Sequence, residues 1–229
     1  LLHKGKLAQG TLAKGAAVVA AVDADRRAAI RRHHTATHLL NAALRKVLGT
    51  DSIKQAGSYV DPTRLRFDFT WFEALTAEQL TAIERLVTEY VVANAPVTTY
   101  EMPLKDVPGS GIIAVFDEKY GDTVRVVETE GISRELCGGT HVERSGDIGP
   151  FRIIAETSIA AGIRRIEAQT GLSASAHTLH EHSLLAAAAH QLSISPAELP
   201  ERITALVEQV HRLEKELKAA AEKGALEKG

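Results

Sequence analysis

Hydrophobic positions along this chain fall into two periods. Between residues 25 and 48, Ile30, Leu40, Leu44 and Val47 supply much of an apolar stripe at helical spacing. Asp25 suits its N-terminal cap and Gly49 its stop. A second helix opens at Thr76, carries Glu78 and Gln79 in its first turn, buries Leu80, Ile83, Leu86, Val87 and Val91, and is over by Pro96. Period two appears where Phe67 and Phe69 alternate with Arg66 and Asp68, so residues 55–60 and 65–70 read as strands joined at Asp61-Pro62. Further strands are predicted at 97–102 and 123–128. A pair at 150–157 and 162–169 closes the sheet. Trp71 and Phe72 read as core. Residues 1–23, punctuated by Gly5, Gly10 and Gly15, read as β, with a buried strand at 17–22.

From Leu172 the pattern turns to alanine-rich helix, broken at Ser195-Pro196. Beyond the break Ile203, Leu206, Val210, Leu213 and Leu217 recur at threes and fours, an amphipathic or coiled-coil stripe. It suits either packing on its own domain or self-association. His177, His180 and His182 read as a solvated face. The fold class is α+β: a mixed or antiparallel sheet with packed helices, followed by a helical extension.

Composition narrows the class. The chain has 229 residues, 45% hydrophobic and 24% charged, with a net charge of −2. This is an ordinary globular balance, not that of a generally basic nucleic-acid binder. Local basic clusters remain: Arg26, Arg27, Arg31 and Arg32, then Arg164-Arg165. No apolar run reaches the length of a membrane span. One cysteine offers no disulfide framework and the start shows no signal-peptide pattern, which points to the cytoplasm. A chain that opens at Leu1 and ends within a helical pattern reads as part of something longer.

The candidate chemistry is a metal site. His34 and His38 lie one helical turn apart on one face. Cys137 and His141 share the same spacing across Gly138-Gly139, which allows a tight turn. Three imidazoles and one thiol make a tetrahedral zinc set. The two half-sites are far apart in sequence, so the fold must assemble them, which suits a functional pocket better than a small structural staple. His33 is out of phase and is left outside the set.

These residues, read with Gln55-Ala56-Gly57-Ser58, Arg66-Phe67-Asp68-Phe69, Gly146-Asp147-Ile148-Gly149 and Gly162 to Ala168, resemble the editing domain of alanyl-tRNA synthetases. The resemblance runs in order over residues 1 to 171. It implies the end of a small β-barrel at 1–23, an editing domain at 24–171 and a helical or coiled-coil extension at 172–229. It also implies a function: hydrolysis of the ester joining serine or glycine wrongly to alanine tRNA, with one zinc per chain and the tRNA acceptor end as partner. An alanine pocket rejects smaller glycine and hydroxyl-bearing serine poorly, so a second, hydrolytic site is the general remedy.

Within that resemblance Thr35 and Gln55 are candidates to grip the substrate amine or hydroxyl. Asp68 is a further candidate, with pairing to Arg64 or Arg66 as its ordinary role. Arg164 and Arg165 are candidates for the tRNA end. Four protein ligands close a zinc site, whereas a catalytic zinc keeps one position open. Either one ligand yields to water, or the metal positions substrate. Rival readings are an editing domain of the threonyl-synthetase or freestanding type, and a structural zinc module that binds RNA or a partner. A metallohydrolase of the HExxH type is disfavoured, because Thr-Ala-Thr separates the two histidines.

Overall fold

The computed structural model describes residues 4–114 and 120–226, with side chains as far as residue 221. Helix α1 (Ala24–Leu48) is capped by Asp23, whose carboxylate accepts the Arg26 amide at 2.9 Å. The expected cap, Asp25, instead lies in the first turn, where its charge faces the positive end of the helix dipole. Gly49 stops the helix in the left-handed conformation, as its position predicts.

Strands β1 (Gln55–Val60) and β2 (Leu65–Thr70) form an antiparallel hairpin. Helix α2 (Ala77–Val92) follows, opened by a reciprocal capping box between Thr76 and Gln79. Strands β3 (Val97–Pro103), β4 (Thr123–Thr129) and β5 (Ser133–Leu136) make a three-stranded antiparallel sheet. Strands β6 (Phe151–Ala160) and β7 (Ile163–Thr170) complete a four-stranded sheet in the order β1-β2-β7-β6. The expected single sheet is therefore two antiparallel ones. A lone parallel bridge joins Ile113 to Glu135 among the described residues.

The main core lies where α1 and α2 cover the four-stranded sheet. Leu39, Leu40 and Leu44 of α1 and Ile83 and Val87 of α2 meet Phe67, Phe69 and Ile166, all fully buried. The Phe67 and Phe69 rings lie 6.1 Å apart on the same strand face. A smaller core of Val107, Val124, Val126 and Leu136 backs the second sheet.

Two sequence expectations change. Residues 17–22 form no strand among the described residues, and 4–23 are exposed throughout. A strand exists only as part of a ladder, and this stretch pairs with none of the described strands. Residues 1–3 and 227–229, the outer ends of the two flanking regions, lie outside the described residues. Phe72 is not core: it is 90% exposed, and its ring lies over Gly162, where an added Cβ would sit 2.9 Å from it. Trp71 does pack against the core.

Helices α3 (Gly171–Gln191) and α4 (Leu199–Leu226) follow, separated by a short 3-10 turn at Pro196. The α4 stripe is solvent-facing: Ile203 is 53% exposed and Leu213 51%. Its apolar face is not spent on the chain's own domain. No helix among the described residues is long and apolar enough to cross a membrane.

Candidate metal centre

His34 and His38 sit in the middle of helix α1, well inside its Asp23 and Gly49 ends. His34 and His38 project from successive turns toward the turn that follows β5. There Cys137, 103 positions beyond His34, places Sγ 3.3 Å from His34 Nε2. The same sulfur lies 3.3 Å from His141 Nε2. Potential ligand atoms of His34, His38, Cys137 and His141 all fall within 4.8 Å of one another, and among the described residues this is the one His/Cys/carboxylate group so arranged. In a tetrahedral zinc site with bonds of about 2.0 Å to nitrogen and about 2.3 Å to sulfur, nitrogen and sulfur stand about 3.5 Å apart. The observed spacing agrees, so this group of residues can hold a metal ion.

The electrostatics favour the ligating forms. Burial pushes His38 down to about 3, with His34 repelling its charged state. Burial likewise pushes His141 down to about 2, aided by His38, His34, Arg125 and Arg31. His34 is lowered too, again chiefly by burial. All three imidazoles are thus neutral near pH 7, with lone pairs available to a cation.

The surroundings orient each ligand. Thr35 Oγ1 donates to the Arg31 carbonyl at 3.1 Å, accepts the Val142 amide at 3.1 Å and lies 3.1 Å from His141 Nδ1. A hydroxyl already donating can only accept from the ring, which puts the proton on Nδ1 and leaves Nε2 facing Cys137. The turn itself is held by Arg125, whose Nη1 donates to the carbonyls of Cys137 at 2.7 Å and Gly139 at 2.8 Å. Arg31 Nε donates to the His141 carbonyl. On the far side of His38, Glu135 Oε2 lies 3.8 Å from Nδ1. Burial pushes the Glu135 carboxyl up to about 7 against the pull of Asn41 and Arg45.

The other sequence candidates sit elsewhere. Thr35 is fully buried behind His141, its hydroxyl committed as above. Gln55 opens the edge strand β1, half-buried opposite Phe69 and beside a bulge. Asp68 is 4% exposed and takes both Nε and Nη2 of Arg165, at 2.7 and 2.8 Å. Arg66 adds a weaker contact at 3.6 Å. Arg164 is likewise held by both oxygens of Glu156, at 2.5 and 2.7 Å. Arg164 and Arg165 are neighbours on β7, so they point to opposite faces of the sheet. His33, left out of the set, accepts the Thr170 amide at 3.2 Å and ties α1 to the end of β7.

Sequence reasoning missed Arg125 and Glu135. Neither belongs to a spaced motif. Only the Glu-Leu-Cys run offered a signal, since a residue two before a ligand on a strand shares its face. A recess of about 350 Å³ opens beside His141, edged by Arg27, Arg31 and Arg125, by Thr99 and Thr140, and by Glu143, whose carboxylate lies 3.9 Å from Arg31. Half of the N-terminal arginine cluster therefore converges on the ligand turn.

The chain matches the family model described as the threonyl and alanyl tRNA synthetase second additional domain over residues 124–167, which spans β4 through most of β7 and includes Cys137 and His141. It is 48% identical over 221 residues to the alanine–tRNA ligase of Thermotoga maritima, covering 95% of this chain and 25% of that protein. It is 49% identical over 227 residues to that of Bordetella petrii, covering 99% of this chain and 26% of the relative. The enzyme of Desulfosudis oleivorans is 49% identical over 217 residues. The chain thus spans about a quarter of the length of these relatives, and the match runs through both metal half-sites and the sheet between them. By the family model and by these relatives, the chain belongs to the alanyl-tRNA synthetase family.

Proposed function

We propose that this chain is a proofreading hydrolase that cleaves the ester joining serine or glycine to alanine tRNA. The observation that carries the reading is one juxtaposition: a three-nitrogen, one-sulfur cluster opening beside a recess edged with arginines. A ligand cluster alone suits a structural staple. A cluster beside a cationic recess suits a phosphate-bearing substrate whose reacting group must reach it.

His34, His38, Cys137 and His141 would hold one zinc ion. Bound there, zinc would supply Lewis acidity toward the ester carbonyl or a water. The remaining work falls to the chain. Arg27 would meet the phosphates of the acceptor end, joined by Arg31, whose 3.9 Å contact with the exposed Glu143 is looser than the pairs that hold Arg164 and Arg165. Arg125 and Thr35 hold the ligand turn rigid, so Thr35 acts by orienting His141 and not by touching substrate. Gln55 remains the candidate for the substrate amine or hydroxyl. Arg164 and Arg165 are already neutralised by carboxylates, so phosphate contact passes from them to the recess arginines. Asp68 braces the sheet through Arg165. Residues 24–171 would form the hydrolytic unit and 172–229 its helical extension, with self-association through the α4 stripe. Residues 1–23 would belong to a preceding barrel.

The test is release of serine from serine-charged alanine tRNA, with and without chelator, beside Cys137→Ala. Fast release that is lost on chelation and in the variant supports the reading. A folded, zinc-loaded chain that releases nothing makes the cluster a structural element of an RNA-binding module.

A further inference from the structure

Helix α1 and strand β5 face each other across a buried polar seam. From β5, alternate residues share a face. Glu135 therefore points at α1, as does Cys137 just beyond the strand end. From α1, His34, His38, Asn41 and Arg45 align at helical spacings of four, three and four. Glu135 sits between them, 7% exposed. Its Oε1 accepts Asn41 Nδ2 at 3.0 Å, and its Oε2 lies 3.8 Å from His38 Nδ1. Asn41 is steadied in turn by Arg45 Nε at 3.4 Å. Arg45 is anchored by the carbonyls of Asp51 and Ile53, at 3.0 and 2.7 Å.

A carboxylate is an expensive group to bury. Asn41 meets one of its two oxygens, and its cross-strand partner Val127 offers nothing to the other. What the carboxylate does face is the back of a ligand imidazole. A histidine that binds metal through one nitrogen commonly donates its other N–H to such an acceptor. That contact fixes the tautomer and makes the bound nitrogen more basic.

We propose that Glu135 is a positioning residue for the metal centre. With Oε2 3.8 Å from Nδ1, too far for a direct hydrogen bond, its charge favours the His38 tautomer protonated at Nδ1 and so leaves the Nε2 lone pair for the cluster of Cys137, His34 and His141, while Asn41 and Arg45 hold the carboxylate at its station. The inference rests on the metal reading of the cluster. It adds a residue that touches neither metal nor substrate, and it makes the far end of α1 part of the site. Thr35 plays the matching part for His141, through a hydroxyl in place of a carboxylate.

The experiment is a zinc titration of the 229-residue chain against a competing chromophoric chelator, for the wild type, Glu135→Gln, Glu135→Met and Cys137→Ala. Folding is checked by far-UV circular dichroism. Glu135→Met, close in size but with no acceptor, is expected to lose about 10- to 100-fold in zinc affinity. Glu135→Gln keeps a carbonyl acceptor and is expected to lose less. Long-range proton–nitrogen NMR of the zinc-loaded wild type should show His38 protonated at Nδ1, a signature that a purely structural glutamate would not set. A folded Glu135→Met with wild-type affinity and the same tautomer overturns the proposal. If that variant does not fold, Glu135→Gln decides: unchanged affinity overturns, a several-fold loss supports. A wild type that takes no zinc, or a Cys137→Ala that binds as tightly as wild type, overturns the metal reading itself and the inference with it.

Discussion

Gly139 stands so close to His34 that a Cβ on it would lie 2.1 Å from the imidazole Cε1 and 2.5 Å from Nδ1. Its neighbour Gly138 has nothing within 4 Å of the same position. The two glycines of the ligand turn therefore have different duties. One admits the backbone against a ligand ring and the other only eases the turn. Gly139→Ala must displace His34, and should lower zinc affinity at least tenfold. Gly138→Ala should stay within about twofold of wild type, as expected for an exposed turn residue without a special contact. Equal effects in a side-by-side zinc titration would contradict this division.

The metal-free protein should lose stability in mild acid. His33, His34, His38 and His141 are all held below the ordinary imidazole range, chiefly by burial. The unfolded chain takes up these protons near pH 6.5, whereas the folded one resists until about pH 3 at His38 and about pH 2 at His141. The unfolded state thus binds more protons, and stability falls as pH falls below 6.5. Glu135 acts with the opposite sign: burial raises its folded value to about 7, above the ordinary carboxylate range, so its contribution is lost as pH rises through that interval. Four groups outweigh one. Thermal unfolding in chelator should give a lower Tm at pH 5 than at pH 7, and a higher Tm at pH 5 would show that the histidines are not buried as neutral rings.

Phosphate contact and sheet bracing should separate by mutation. Arg27→Ala should weaken binding of alanine tRNA and flatten its salt dependence, with Tm unchanged. Arg165→Ala should do the reverse, because it leaves the buried Asp68 carboxylate only the 3.6 Å contact of Arg66. Filter binding at two salt concentrations, paired with thermal melts, reads both effects. A loss of tRNA affinity confined to Arg165→Ala would return the contact to β7.

The stripe on α4 should associate. Ile203, Val207, Val210 and Leu213 are each about half exposed, and Leu217 is 72% exposed. Aligned on one helix face, they would form the seam of a coiled coil with a second copy. Sedimentation equilibrium should show an average mass that rises with concentration, and Leu213→Glu should hold the chain as a monomer. A wild type that is monomeric throughout would leave the stripe to another occupant.

The elements of this protein were legible in its sequence because helix and strand periods are local properties. The span of β1 and β2, the capping box at Thr76, the stop at Gly49 and the break at Ser195-Pro196 each depend on residues a few positions apart. The ligand pairs were legible for the same reason, since a spacing of four places two side chains on one side of a helix or turn. Tertiary structure decided everything that depends on a partner distant in the chain. It brought Cys137 to His34, set Glu135 behind His38 and Arg125 beneath the ligand turn. It also spent Arg164 and Arg165 on carboxylates from other strands. It left Phe72 in solvent and denied residues 17–22 a strand, because burial and pairing belong to the neighbour as much as to the residue. Local pattern states what a segment can become, and only the packed chain supplies the second half of each contact.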